Sequence, residues 1–130
     1  LISHFSRRAA GCQYCEAHSL VAAKIHGIRQ EKLDAIWEYR DSPLYSEAER
    51  VALDYALAAG SVPNAVDAEL VSQMKQHWSE QQIVQILGAV CLYGFLNRWN
   101  DSMATDLEES PTAMGDRVLA RGGWTGGKHR

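Results

Sequence analysis

The sequence lacks the features that would indicate a membrane, secreted or nucleic-acid-binding protein. No apolar run approaches the ~18 residues that a membrane span needs, and residues 1–4 do not resemble a signal peptide. Lys and Arg form no cluster longer than Arg7-Arg8, and the formal net charge is -3, which makes nucleic acid a poor partner. We therefore expect a soluble, cytoplasmic protein with neither a membrane nor a nucleic-acid partner.

Cysteine is scarce, since the chain has only three. A structural zinc site usually takes four ligands, but Cys91 lies far from the other two cysteines. Covalent haem requires His directly after the second Cys of a CxxC motif, where this chain has Glu16. A static disulfide is unusual in a chain without a secretory signature. We predict no metal site and no bound cofactor.

The most informative motif is a CxxC pair followed by a histidine, Cys12-Gln13-Tyr14-Cys15-Glu16-Ala17-His18. Side chains three residues apart at the start of a helix lie roughly 5–6 Å apart at Cβ, so the two thiols can form a disulfide with little backbone movement. An imidazole one turn further along can accept or share a thiol proton. The sequence therefore predicts Cys12, Cys15 and His18 as catalytic residues of a redox-active dithiol.

The position of the motif predicts a role for each sulfur. Only the thiolate is a useful nucleophile, and the positive end of a helix and a nearby imidazole both favour it. Cys15 falls within the first helical turn and is nearer His18, so we assign Cys15 as the attacking sulfur. Cys12 then condenses with the sulfenic acid on Cys15 to give a disulfide, which an external dithiol reduces.

Helix signals recur along the chain and no segment alternates with the period of two typical of strands. We predict an all-α bundle of about six helices built on a helical hairpin, forming a single domain over residues 1–130, and the sequence leaves a truncation at its N-terminus open. The predicted helices cover residues 1–10, 14–27, 31–40, 47–59 and 67–77, with a long apolar one after Ser79. That last helix is expected to be central and buried, with Cys91 as a small core residue. From Asp106 onward we expect a loop or an arm on a neighbour.

Other polar residues receive structural predictions. His26 is expected to be a surface or satisfied helix residue, His4 lies near the dithiol only if the first helix folds against it, and Tyr14 is expected to pack. The run Asn97-Arg98-Trp99-Asn100-Asp101 is predicted to form a hydrogen-bond network or a subunit contact, in preference to direct catalysis.

The motif resembles the signature of the carboxymuconolactone decarboxylase-like superfamily, in its alkylhydroperoxidase D-like branch. The resemblance begins at Gly-Cys-Gln-Tyr-Cys-Glu-Ala-His, residues 11–18, and continues at residues 49–53, 79–84, 95–101 and 123–129. It implies an all-α fold, homo-oligomers that are commonly trimers or hexamers, and a cysteine peroxidase that uses no metal or haem and is recycled by a dithiol such as a lipoyl group. It also implies that the second cysteine is the peroxidatic one.

Two positions differ from the hydroperoxidase. Its histidine follows the second cysteine by four residues, whereas His18 follows Cys15 by three, and its relay glutamate would fall at or before Leu1. Glu16 is a candidate substitute for that glutamate. The leading prediction is an oxidoreductase, a thiol-dependent peroxidase or disulfide reductase that acts on hydroperoxides. The alternatives are a decarboxylase-like enzyme acting on a cyclic metabolite and a redox-sensing oligomeric protein.

Overall fold

The structure, a computed structural model, describes residues 1–129, and this part of the chain is helical with no strand. The prediction of an all-α fold is confirmed. The seven α-helices of the described residues are α1 (Ile2–Ala10), α2 (Gln13–Ile25), α3 (Gln30–Asp34), α4 (Glu47–Gly60), α5 (Ala68–His77), α6 (Glu80–Met103) and α7 (Glu109–Val118). Short 3₁₀ turns occur at Ile36–Glu38, Ala120–Gly122 and Gly127–His129.

Local sequence signals set most helix boundaries. Ser46 and Ser79 each form a capping box with the side chain three residues later, at the starts of α4 and α6. Asp67 caps α5 by accepting the Leu70 N–H at 2.8 Å. Gly11 ends α1 in the left-handed conformation, with φ of 71°. The helix predicted over residues 31–40 is shorter than expected, because it divides into α3 and a 3₁₀ turn.

The short helix α1 occupies the centre of the molecule and packs against α2, α4 and α6. Its Phe5 is fully buried and meets the ring of Tyr39 edge-on, with centroids 4.6 Å apart. Around it lies one large apolar cluster whose fully buried members include Leu20, Leu33, Ile36, Ala56 and Leu119. Burial of this kind contributes about 1.5–3 kcal/mol for each large side chain, so α1 and α2 are held firmly relative to each other.

Helix α6 is not the central buried helix that the sequence predicts. Only Val90 and Asn97 are buried along it, and Cys91, expected to be a core residue, is exposed. Because α1 fills the core, α6 contributes only one narrow face and leaves several large apolar side chains exposed, namely Val84, Leu87, Leu92, Phe95, Trp99 and Met103. Within the described residues, no helix is long and apolar enough to cross a bilayer.

The segment after Asp106 also differs from its prediction as a loop or an arm on a neighbour. It forms α7 and then folds back on its own chain, where the Trp124 Nε1–H donates to the Gln13 carbonyl at 3.0 Å. The indole packs closely against Gly115, where a Cβ would come within 2.3 Å of the ring. The Leu107 N–H donates to the His129 carbonyl at 2.7 Å. We call residues 122–129 the C-terminal segment, and it covers the start of α2.

Candidate active site

The CxxC motif lies at the N-terminus of α2, as predicted, but the helix begins so that Cys12 is its N-cap. The Cys12 sulfur accepts the backbone N–H of Cys15 at 3.3 Å, an interaction in which sulfur replaces the oxygen of a usual N-cap side chain. The Cys15 thiol points toward the Leu96 carbonyl on α6, 4.0 Å away. Both cysteines are free thiols and are buried, with 0% and 2% of their surface exposed. The structure therefore places the two sulfurs together in a shielded site.

The two thiols hold their protons unequally. The interaction with the Cys15 side chain lowers the pKa of Cys12, as does the hydrogen bond from the Cys15 backbone N–H, although burial opposes both. The interaction with the Cys12 side chain, together with burial, raises the pKa of Cys15. The thiolate is thus favoured on Cys12, whereas the sequence predicts Cys15 as the attacking sulfur. The reason is the helix boundary, because the N-cap position receives the unpaired N–H groups.

An arginine that the sequence analysis treated only as part of a basic pair lies beside the thiols. The Arg7 guanidinium donates to the Cys15 carbonyl at 2.7 Å and stacks on the Tyr93 ring, 4.2 Å from its centroid. Its positive charge acts to lower the pKa of both thiols. Burial lowers the pKa of Arg7 itself. Arg7 sits one helical element before the motif, so no short-range pattern connects it to the dithiol.

His18 does not contact either sulfur. Its Nδ1 lies 3.0 Å from the Tyr14 carbonyl and its Nε2 lies 2.8 Å from the carboxylate of Glu108, which immediately precedes α7. The ring stacks on Tyr14 with centroids 4.1 Å apart. His18 is therefore at the edge of the site, where both ring nitrogens are occupied by other groups.

The opposite edge of the site contains residues that the sequence analysis did not select as catalytic. Asp101, near the end of α6, acts to raise the pKa of both thiols. Its Oδ1 lies 3.4 Å from Nε2 of the fully buried His129, and its Oδ2 lies 3.0 Å from the Lys128 ammonium. The Lys128 ammonium lowers the pKa of Asp101, and the His129 ring acts in the same direction to a smaller extent. The only sequence signal for His129 was the resemblance at residues 123–129.

The polar run on α6 forms the predicted hydrogen-bond network in part. The Asn100 amide donates to the Leu96 carbonyl at 3.0 Å and accepts from the Thr105 hydroxyl at 3.0 Å. Arg98 is exposed and donates to the Gly94 carbonyl one turn back. The buried Asn97 amide has no hydrogen-bond partner among the described residues.

The remaining candidates lie away from the sulfurs or interact with other groups. His4 is buried, with Nδ1 2.9 Å from the Ser19 hydroxyl, and burial lowers its pKa to about 3. His26 is exposed. Burial raises the pKa of Glu16 to about 7, opposed by the charge of Arg8. Among residues 1–129, no group of three His, Cys, Asp or Glu side chains is arranged to hold a metal ion.

Comparison with known proteins places this geometry in context. No family model matches the chain. The uncharacterized protein YnjA of Escherichia coli (strain K12) is 33% identical over 93 residues, which are 71% of this chain and 50% of YnjA. The chain thus spans about half the length of that curated relative.

Two solved structures of one protein match a larger share of this chain than YnjA does. The debrominase Bmp8 has been solved as the apo protein, with 36% identity and a TM-score of 0.84. A cysteine-to-alanine variant of Bmp8 has been solved with 2,3,4-tribromopyrrole, with 34% identity and a TM-score of 0.86. Each match covers 90% of this chain and 63% of Bmp8.

A third structure is a protein of unknown function from Agrobacterium tumefaciens, proposed to be the antioxidant defence protein AhpD. It shares 20% identity and a TM-score of 0.71 over 82% of this chain and 77% of its own, a likeness that shows the fold alone. Together with Bmp8, whose fold is of the same type, it supports the resemblance found in the sequence. The chain therefore has the alkylhydroperoxidase D-like helical fold.

Proposed function

We propose that the chain is a thiol-dependent reductase that transfers two electrons from the Cys12 and Cys15 pair to a hydroperoxide. The observation that carries the proposal is the hydrogen bond from the backbone N–H of Cys15 to the Cys12 sulfur, which favours the Cys12 thiolate. A lowered thiol pKa is what a cysteine nucleophile requires at neutral pH. We also propose a cytoplasmic location, because the reducing conditions there keep thiols in their reduced form.

The reaction follows from this proton distribution. The Cys12 thiolate attacks the terminal oxygen of the hydroperoxide, the O–O bond breaks, and the alkoxide that leaves takes a proton. Cys12 is then a sulfenic acid, which the Cys15 thiol converts to a disulfide with release of water. The balance is one dithiol and one hydroperoxide giving one disulfide, one alcohol and one water. His18 remains the sequence-based candidate for handling the proton.

The catalytic cycle needs a second dithiol. Exchange with an external dithiol, of which a lipoyl group is the type the resemblance implies, would reduce the disulfide through a mixed-disulfide intermediate. No metal, haem or other bound cofactor enters the proposal, because sulfur supplies both electrons.

Single-turnover oxidation of the three cysteine variants tests the proposal. We expect reduced wild type to lose two thiols per chain when a hydroperoxide is added. Cys15→Ser should still form a sulfenic acid, detected by dimedone labelling, whereas Cys12→Ser should react at least tenfold more slowly. Cys91→Ser is the matched control, because Cys91 is exposed and lies outside the pair, and it should behave as wild type. Fast oxidation of Cys12→Ser would return the attacking role to Cys15, and an inert wild type would refute the peroxidase proposal.

A second candidate function is favoured by the similarity to the debrominase Bmp8. The same dithiol could replace a carbon–bromine bond of a brominated pyrrole by carbon–hydrogen, releasing bromide and a proton and leaving a disulfide. Parallel assays with cumene hydroperoxide and with 2,3,4-tribromopyrrole, each with dihydrolipoamide as reductant, separate the two functions. Bromide release without hydroperoxide consumption would establish the second. Stoichiometric thiol oxidation without turnover would instead indicate a redox sensor.

A further inference from the structure

His129 is a fully buried histidine with unused hydrogen-bonding capacity. Its Nδ1 lies 2.9 Å from the Thr105 carbonyl, which fixes the ring. Its Nε2 is 3.4 Å from Asp101 Oδ1, at an angle that forms no hydrogen bond, and has no other partner among the described residues. An unpaired buried polar atom destabilises the fold, so this nitrogen is a candidate for a role other than stabilising the structure.

Consecutive turns of α6 connect this histidine to the dithiol. The Leu96 carbonyl faces the Cys15 thiol and accepts from Asn100, Asn100 accepts from the Thr105 hydroxyl, and the Thr105 carbonyl contacts His129. Asp101, which lies beside His129, is close enough to influence the charge of both sulfurs. A continuous run of polar contacts therefore joins the buried imidazole to the buried Cys15 thiol.

His18 is less suited than His129 to exchange a proton beside the thiols. Both of its ring nitrogens are engaged, one with the Tyr14 carbonyl and one with Glu108, and 28% of its side chain is exposed. Tyr14 lies between the two histidines, with its ring 4.1 Å from that of His18 and 5.7 Å from that of His129. The phenol thus separates an outer imidazole from an inner one.

We propose that His129, oriented by the Thr105 carbonyl and paired with the Asp101 carboxylate, donates the proton to the oxygen that leaves when Cys12 attacks a hydroperoxide. The inference rests on the proposed function. In the attack step His129 gives the proton from Nε2 to the departing alkoxide, and Asp101 stabilises the charged ring before the transfer. When Cys15 then condenses with the sulfenic acid, its thiol proton leaves with the hydroxyl group as water. The imidazole regains its proton when the external dithiol reduces the disulfide, because that step returns one thiolate, one thiol and one proton.

Comparison of two oxidants separates proton donation from a structural role. An alkyl hydroperoxide loses a strongly basic alkoxide and needs a proton donor, whereas peracetic acid loses acetate and needs none. We expect His129→Gln to lower the single-turnover rate with cumene hydroperoxide about a hundredfold, within the usual range for general acid catalysis. The rate with peracetic acid should change less than threefold. His26→Gln, at an exposed position outside the site, should leave both rates unchanged.

Asp101→Asn is the second variant, and it tests the inference even if His129→Gln fails to fold. It removes the negative charge but keeps the shape, and should lower the hydroperoxide rate about tenfold with little effect on the peracid. An equal loss with both oxidants in these variants would mean that His129 only supports the structure, and would overturn the inference. A selective loss in His18→Gln but not in His129→Gln would also overturn it. A wild type inert toward both oxidants would instead refute the proposed function.

Discussion

The Arg7 guanidinium donates to the backbone carbonyl of Cys15 at 2.7 Å, which places a buried positive charge beside both thiols. Arg7 belongs to α1, the central helix, and Cys15 to the first turn of α2. The packing of α1 against α2 therefore controls the charge environment of the dithiol. This relationship connects the core of the fold to the chemistry of the site.

Removal of that charge should weaken the thiolate. We expect Arg7→Met to raise the pKa of Cys12 and to lower its rate of alkylation by iodoacetamide at pH 7 about tenfold, since one pKa unit is a tenfold change in thiolate. The pH dependence of alkylation measures the effect. Arg8→Met is the matched control, because the Arg8 guanidinium stacks on Trp37, 4.2 Å from the ring centroid, and should not alter the thiols. Identical alkylation profiles for the two variants would contradict the role of Arg7.

Glu16 should make the fold less stable as the pH rises. Burial raises its pKa from 4.5 to about 7, so the folded chain holds a proton that the unfolded chain has already released between these values. The contribution of Glu16 is then greatest below pH 4.5 and is lost as the pH rises through 7. We expect Glu16→Gln to be more stable than wild type at pH 8 but not at pH 4, in urea titrations. Glu109→Gln, at an exposed position, should show no such difference.

Gly115 should be intolerant of any side chain. A Cβ there would meet the Trp124 ring at 2.3 Å, so we expect Gly115→Ala to lower the free energy of unfolding by about 1–3 kcal/mol. It should also loosen the C-terminal segment and speed the reaction of the thiols with a bulky reagent such as Ellman's reagent. Gly88→Ala is the control, because nothing lies within 4 Å of its Cβ position and α6 should gain about 0.5–1 kcal/mol. Unchanged thiol reactivity in Gly115→Ala would show that Trp124 does not hold the segment in place.

The apolar face of α6 is where we expect the predicted homo-oligomer to form. Phe95 and Trp99 are exposed and their rings lie 6.3 Å apart, and a surface helix of a monomer would carry charges on such a face. We expect Phe95→Glu to reduce the native mass measured by light scattering. Ile25→Glu makes the same change at an exposed apolar residue outside α6 and should leave the mass unaltered. A wild-type mass equal to that of one chain would contradict the prediction of a homo-oligomer.

Sequence reasoning succeeded where a few neighbouring residues determine the outcome. The caps at Ser46, Asp67 and Ser79 and the placement of Cys12 and Cys15 at a helix start depend only on residues within one turn. The burial of a helix could not be predicted from neighbouring residues in this way, because the apolar content of α6 is high whether α1 or α6 fills the core. The prediction for Cys91 failed for this reason.

Long-range contacts account for what the sequence analysis missed at the site. His129 approaches the site only because α7 and the C-terminal segment fold back on the chain. Arg7 approaches the site only because α1 packs against α2. Which of the two thiols has the lower pKa depends on where α2 begins, and sequence patterns locate a helix boundary only to within a few residues. The presence of a dithiol was therefore predictable, whereas the pKa directions of its two thiols and the charged groups beside them were not.

The closure of residues 122–129 over the start of α2 has a consequence for selectivity. Under the proposed function, an electron acceptor that approaches the sulfurs from the start of α2 meets the indole of Trp124, which donates to the carbonyl of Gln13, the neighbour of Cys12. We therefore expect the C-terminal segment to favour small electron acceptors over large disulfides.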